Sequence, residues 1–97
     1  MSVPSHPVRR QDVETYVLPD GTSLLYDPVS EAGMPLDAVS SLIWDYCDGA
    51  LSDDEIVGEM VALLPQVTDM GAHVQSVIAG FEQLGLLLRP ARANSAP

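Results

Sequence analysis

The chain has 97 residues, 46% of them apolar, and sets 14 carboxylates against 4 arginines and no lysine, a net charge of −10. That balance argues against a nucleic-acid binder, because phosphate backbones are held by Lys and Arg side chains that displace counterions. There is no apolar run of about eighteen residues, no basic-then-apolar leader and only one cysteine, so the expectation is a cytoplasmic domain without membrane segment or disulfide.

In chain order, Met1–Arg10 is rich in Pro, Ser and Arg and lacks an apolar period, as is Arg89–Pro97 at the other end. Both read as disordered tails around a single domain of residues 11–88. All four arginines (Arg9, Arg10, Arg89, Arg92) lie in these tails, whereas the carboxylates fall between Asp12 and Glu82. The folded part is therefore expected to be purely acidic and to favour a partner with a basic patch.

Glu14–Leu18 and Ser23–Tyr26 are short segments rich in Tyr, Val, Leu and Thr, divided by Pro19-Asp20-Gly21. Proline presets φ and glycine is free to take positive φ, so a β-hairpin follows. Asp27-Pro28 makes a second turn, and Gly33–Leu36 supplies a third, very short strand. The period then becomes helical. Asp37 is a plausible N-cap for a helix whose apolar face holds Leu36, Val39, Leu42, Ile43, Tyr46 and Cys47, ended by Asp48-Gly49. Trp44 falls at the edge of that face, so partial burial is expected, with contact to a partner enzyme as the other option. Ser52-Asp53-Asp54-Glu55 reads as a capping box for a second helix with Ile56, Met60, Leu63 and Leu64 inward, stopped by Pro65. A third helix starts near Thr68 or Asp69 and carries the stripe Met70, Val74, Val77, Ile78, Phe81, Leu84 as far as Gly85. Leu86-Leu87-Leu88 then folds back onto the core. Three short N-terminal strands followed by three helices make an α+β domain of winged helix-turn-helix character.

Leu24-Leu25-Tyr26-Asp27-Pro28, Leu36-Asp37, Ile43-Trp44-Asp45-Tyr46-Cys47-Asp48-Gly49, Leu51-Ser52-Asp53-Asp54-Glu55-Ile56-Val57 and Phe81-Glu82-Gln83-Leu84-Gly85-Leu86 together resemble the PqqD family over residues 14 to 88. The resemblance implies a non-catalytic peptide chaperone, or precursor-peptide recognition element. Such a domain binds the leader of a ribosomally made precursor peptide and presents it to a tailoring enzyme: a radical enzyme, a cyclase or a leader peptidase. In the family the leader adds as a strand to the third β-strand, in a groove closed by the third helix. Here that implies Gly33, Met34, Pro35 and Leu36 on the strand, with His73, Val77, Gly80 and Leu84 on one margin of the helix. The chain departs from the family in having Asp37 where Asn is common, an exchange between good N-caps. Gly33 and Pro35 also weaken the third strand.

No catalytic constellation, metal site or cofactor site is expected. His73 has no histidine partner at ligand spacing and reads as an ordinary helix-flank residue or a groove contact. Cys47 on an apolar face reads as a buried structural thiol. Asp53, Asp54 and Glu55 are accounted for by helix capping. Gly80 is either the floor of a peptide groove or a point of close helix packing, since glycine inside a helix costs about 1 kcal/mol relative to alanine. Two other functions compete: an acidic acyl or peptidyl carrier with Ser41 as the modified serine, and a winged-helix DNA binder. Ser41 lacks the preceding acid of a carrier and falls inside a helix, and the stretch from Gln11 to Leu88 holds no cation.

Overall fold

The computed structural model describes residues 6–88. Their order is β1 (Val8–Arg9), β2 (Glu14–Val17), β3 (Ser23–Asp27), β4 (Ala32–Leu36), α1 (Ala38–Tyr46), α2 (Asp53–Leu63), α3 (Met70–Gln83) and β5 (Leu87–Leu88). Strands β2, β3 and β4 form an antiparallel sheet in that spatial order, and β1 pairs with β5 as a separate two-stranded ribbon. The expected α+β layout, a three-stranded sheet followed by three helices, is the one observed.

Each main element follows from a local signal. The β2–β3 hairpin closes through the Leu18 N–H to the Thr22 carbonyl at 2.9 Å, and Gly21 takes φ 90°, which an L side chain rarely adopts. Asp37 accepts the Ser40 amide at 2.7 Å and starts α1. The capping box of α2 is complete, with the Ser52 hydroxyl accepting from Glu55 N–H and the Glu55 carboxylate accepting from Ser52 N–H. Asp69 precedes α3 at φ 53° and makes no side-chain cap, so this helix start is the least conventional of the three.

The inner face of the sheet and one stripe of each helix meet over Leu25, Ile43, Trp44, Ile56, Met60, Val74 and Phe81, all buried. Side chains of this size contribute about 1.5–3 kcal/mol each when fully removed from water. Trp44 departs from the expected partial burial. It is 1% exposed, donates its indole N–H to the Thr15 hydroxyl at 2.9 Å and meets Phe81 edge-to-face at 5.1 Å. Satisfying its polar atom lets the whole ring enter the core. Leu63 and Leu84 depart the other way, at 51% and 54% exposed, because no element covers the ends of their stripes.

The N-terminal boundary also needs correction. Residues 1–5 and 89–97 of the expected tails lie outside the described residues, but residues 6–10 are built into the domain. Val8 pairs with Leu88 and Arg9 with Leu87. The Arg9 amide donates to Cys47 O at 2.8 Å, and the Arg10 amide to Leu86 O at 2.9 Å. The folded part is therefore not free of cations. Arg9 donates to the carbonyls of Trp44 and Asp45 and lies 5.9 Å over the Trp44 ring. Arg10 bonds Asp12, Asp27 and the Gly85 carbonyl. Both guanidinium groups face protein partners, so the acidic surface is left little altered.

Candidate functional site

Strand β4 ends the sheet on one side, and its register decides what its backbone offers. Tyr26 pairs with Gly33, Leu25 with Met34, Leu24 with Pro35 and Ser23 with Leu36. The Leu18–Thr22 bond fixes which residues of β3 bond to β2, namely those in phase with Thr22: Leu24 and Tyr26. Ser23, Leu25 and Asp27 then bond to β4, since successive residues of a strand point their N–H and C=O to opposite sides. It follows that Ala32, Met34 and Leu36 pair inward, while Gly33 and Pro35 turn their backbone groups to the open edge. Proline has no N–H, so it suits an outward-facing position. Gly33 contributes the one N–H and both residues contribute carbonyls.

The C-terminal end of helix α3 comes close to β4. At that end Leu84 joins Leu25, Ala32, Met34 and Leu86 around a small apolar cleft, with Asp27 and Ser30 at its mouth. At the other end the Asp37 carboxyl is held below its usual range, first by the hydrogen bond from Ser40 N–H working against the cost of partial burial, with a smaller contribution from nearby His73. The margin His73–Leu84 is thus antiparallel to β4 and spans a similar length, about 16 Å for eleven helical steps and about 17 Å for five strand steps from Ala32 to Asp37. Between the two ends Val77 is half-buried and Gly80 partly exposed. A Cβ placed on Gly80 would meet nothing within 4 Å. Close packing inside the domain therefore does not explain this glycine.

Of the eight residues expected to bind peptide, Met34 and Leu84 line the apolar cleft, Gly33 and Pro35 turn backbone groups to the open edge of β4, and His73, Val77 and Gly80 lie along α3 outside the cleft lining. Leu36 does none of these. It is 7% exposed, belongs to the core and bonds inward to β3. Leu25, Ala32 and Leu86, which help line the apolar cleft, were not singled out from the sequence. The alternation of β3 marks Leu25 as inward, but periodicity does not say that the space beside it stays open.

Other sites are closed. Cys47 is buried, donates its thiol to Ile43 O at 3.2 Å, and has its pKa pushed up to about 12 by burial, which leaves it a poor nucleophile. Ser41 is 7% exposed and its hydroxyl is bonded to that of Ser23, so a prosthetic arm has no access to it. Asp53 is raised, chiefly by desolvation, and one of its oxygens is buried without a partner. Among the described residues no three of His, Cys, Asp and Glu converge as a metal-binding group, and no helix is long and apolar enough to cross a membrane.

No protein-family model matches the chain, and no curated protein matches it. Among solved structures the fold is similar to that of TbiB1 in complex with the TbiA(beta) leader peptide. The TM-score is 0.67 at 19% sequence identity, over 82% of this chain and 93% of that one. At that identity the likeness speaks for the fold.

Proposed function

We propose that this chain is a non-catalytic recognition domain that binds the leader of a ribosomally made precursor peptide by strand addition to β4 and presents it to a tailoring enzyme. The observation that carries this reading is the pairing of an unoccupied strand edge with an uncovered helix margin. Gly33 and Pro35 direct backbone groups outward, Leu84 at the end of α3 joins Met34 in an apolar cleft, and on α3 Gly80 opens onto free space. A free edge gives any extended peptide backbone hydrogen bonds, and a flanking apolar cleft lets it choose among side chains. Met34 and Leu84 supply that cleft. The same fold in TbiB1 has been captured with a leader peptide, which fits this reading. The resemblance to PqqD-type chaperones points the same way, and a cytoplasmic setting agrees with the free thiol of Cys47.

Backbone bonds contribute about 0.5–1.5 kcal/mol each and a buried apolar anchor about 1.5–3 kcal/mol. After the cost of association, micromolar to nanomolar affinity is expected. The test is a display selection from the host's own short open reading frames, followed by fluorescence anisotropy with the selected peptide. Selection of a precursor N-terminal segment whose binding protects the outward Gly33 amide of β4 from hydrogen exchange supports the reading. Failure to select any peptide, or protection of β2 instead, overturns it.

A further inference from the structure

The face of the sheet turned away from the helices is apolar and has no partner among the described residues. Register places Tyr16, Leu24 and Pro35 side by side across β2, β3 and β4, with Tyr26 in the next row and Leu18 continuing the line of Tyr16. None of these is buried, and Tyr16, Leu18 and Leu24 are 51%, 47% and 41% exposed. The Tyr16 hydroxyl donates to Glu14, which holds the ring against the sheet. Carboxylates edge this face: Glu14 on β2, Asp20 in the first turn and Glu31 in the second. The cations of the described residues, Arg9 and Arg10, are bonded to groups elsewhere.

We propose that this outer face docks the tailoring enzyme, through an enzyme surface with an apolar centre and a Lys/Arg rim. The inference rests on the leader-binding function above. Charge selects the occupant. A second copy would bring acid against acid, and an anionic membrane would be repelled, whereas a basic rim complements Glu14, Asp20 and Glu31. Geometry joins the two sites. Side chains alternate along a strand, so a leader added beside β4 would send alternate side chains into the groove and the others onto this outer face, next to Pro35. Three strands spaced about 4.8 Å apart and about 17 Å long offer only some 240 Å², well below the roughly 800 Å² per partner of a standard interface. A fourth strand widens the platform. The enzyme is therefore expected to bind the leader-loaded domain more tightly than the free one.

A photo-crosslinking residue is placed at Leu24 in cells expressing the chain from its own locus, and at Leu63, the exposed leucine on α2, as control. The captured protein is then purified and titrated by calorimetry against the wild type, Leu24→Asp and Tyr16→Ser, with circular dichroism checking each fold. Tyr16 lies two strands from the β4 edge, so its variant separates the outer face from the groove. Expected is capture of a heterologous enzyme from Leu24 and not from Leu63. Either substitution should weaken that enzyme about tenfold, added salt should weaken it further, and leader affinity should stay within about twofold. Capture of a second copy, equal capture from Leu63, or enzyme affinity unchanged in both variants overturns the proposal. Leader affinity is measured on peptide alone, so loss of leader binding by the wild type would instead overturn the function proposed above.

Discussion

Among the described residues the sheet has two free edges, and an apolar cleft stands beside the one on β4. On β2 all four residues are exposed, Thr15 and Val17 turn their backbone groups to solvent, and α1 reaches the strand through the Trp44 indole N–H on the Thr15 hydroxyl. On β4, Met34 and Leu36 turn inward, and Leu84 at the end of α3 joins Met34 around an apolar cleft. Both edges offer hydrogen bonds; β4 alone adds a cleft that can distinguish one peptide from another. A free edge without such a cleft is mainly a liability, and β2 is short and carries Glu14, which limits unwanted pairing. Selectivity in strand addition thus depends on what stands next to the edge more than on the edge itself.

The sharpest way to break this comparison is to fill the groove. Gly80→Phe places a ring where a Cβ meets nothing within 4 Å, so the domain should fold with equal or higher helix stability. In the groove, that ring occupies the space of a guest side chain. Leader affinity should fall about a hundredfold, as for one well-buried apolar anchor lost. Val17→Trp on the bare edge should leave affinity unchanged. Anisotropy titrations of both variants decide: a Val17→Trp variant that blocks binding would place the peptide on β2.

How far these regions were legible in the sequence follows from the range of the interactions involved. The Ser52–Glu55 box, the Asp37 cap and the Pro19–Gly21 turn act over a few residues, and each was read correctly. The Met70, Val74, Ile78, Phe81 stripe is also a local pattern, whereas a groove between the third strand and the third helix was implied only by the resemblance to the PqqD family. Long-range closures were missed. Arg10 reaches Gly85 and Asp27, Arg9 reaches Trp44, and Trp44 finds Thr15 at 29 residues' separation. Composition alone made residues 6–10 look like tail, because most of their bonds, such as His6 to Gly49 and Arg9 to Trp44, go to residues more than thirty positions away. Leu84 shows a related limit. Helical period assigns a residue to a face, but what covers that face is decided elsewhere in the chain.

A smaller effect tests the backbone rather than the groove. Gly33 offers the outward N–H of β4, and its φ is outside the left-handed region, with an added Cβ at an ordinary 3.8 Å from Leu25 O. Gly33→Pro deletes that donor without touching the Met34 cleft, and should weaken the leader by up to about tenfold, the worth of one hydrogen bond. Val17→Pro removes the equivalent outward donor of β2 and should change nothing. Circular dichroism checks that each variant folds before affinities are compared. Equal losses in both variants would mean that the peptide does not discriminate between the edges.

The smallest effect concerns how the groove keeps its width. Arg10 donates to both oxygens of Asp27, at 3.1 and 3.0 Å, and to the carbonyl of Gly85, which follows α3 at φ 72°. This clamp ties the end of α3 to the β3–β4 turn at the cleft formed by Met34 and Leu84. The Asp27 carboxyl is held below its usual range, first by the Arg10 hydrogen bonds against the cost of desolvation, then by the Val29 amide. A depressed folded-state value means that the carboxylate stabilises the fold above the unfolded pKa of about 3.9, and that this contribution fades as pH falls through the folded value. Asp27→Asn should therefore lower Tm at neutral pH, with the gap to wild type closing below about pH 4. Asp12, which shares Arg10 and is also depressed, remains in the variant and keeps part of the acid dependence. Leader affinity at neutral pH should drop only about two- to threefold, because the clamp supports the groove without lining its floor. A Tm gap that stays constant between neutral and acidic pH would show that the Asp27 side chain acts through packing and neutral hydrogen bonds. An unchanged affinity would show that α3 holds its distance from β4 without the clamp.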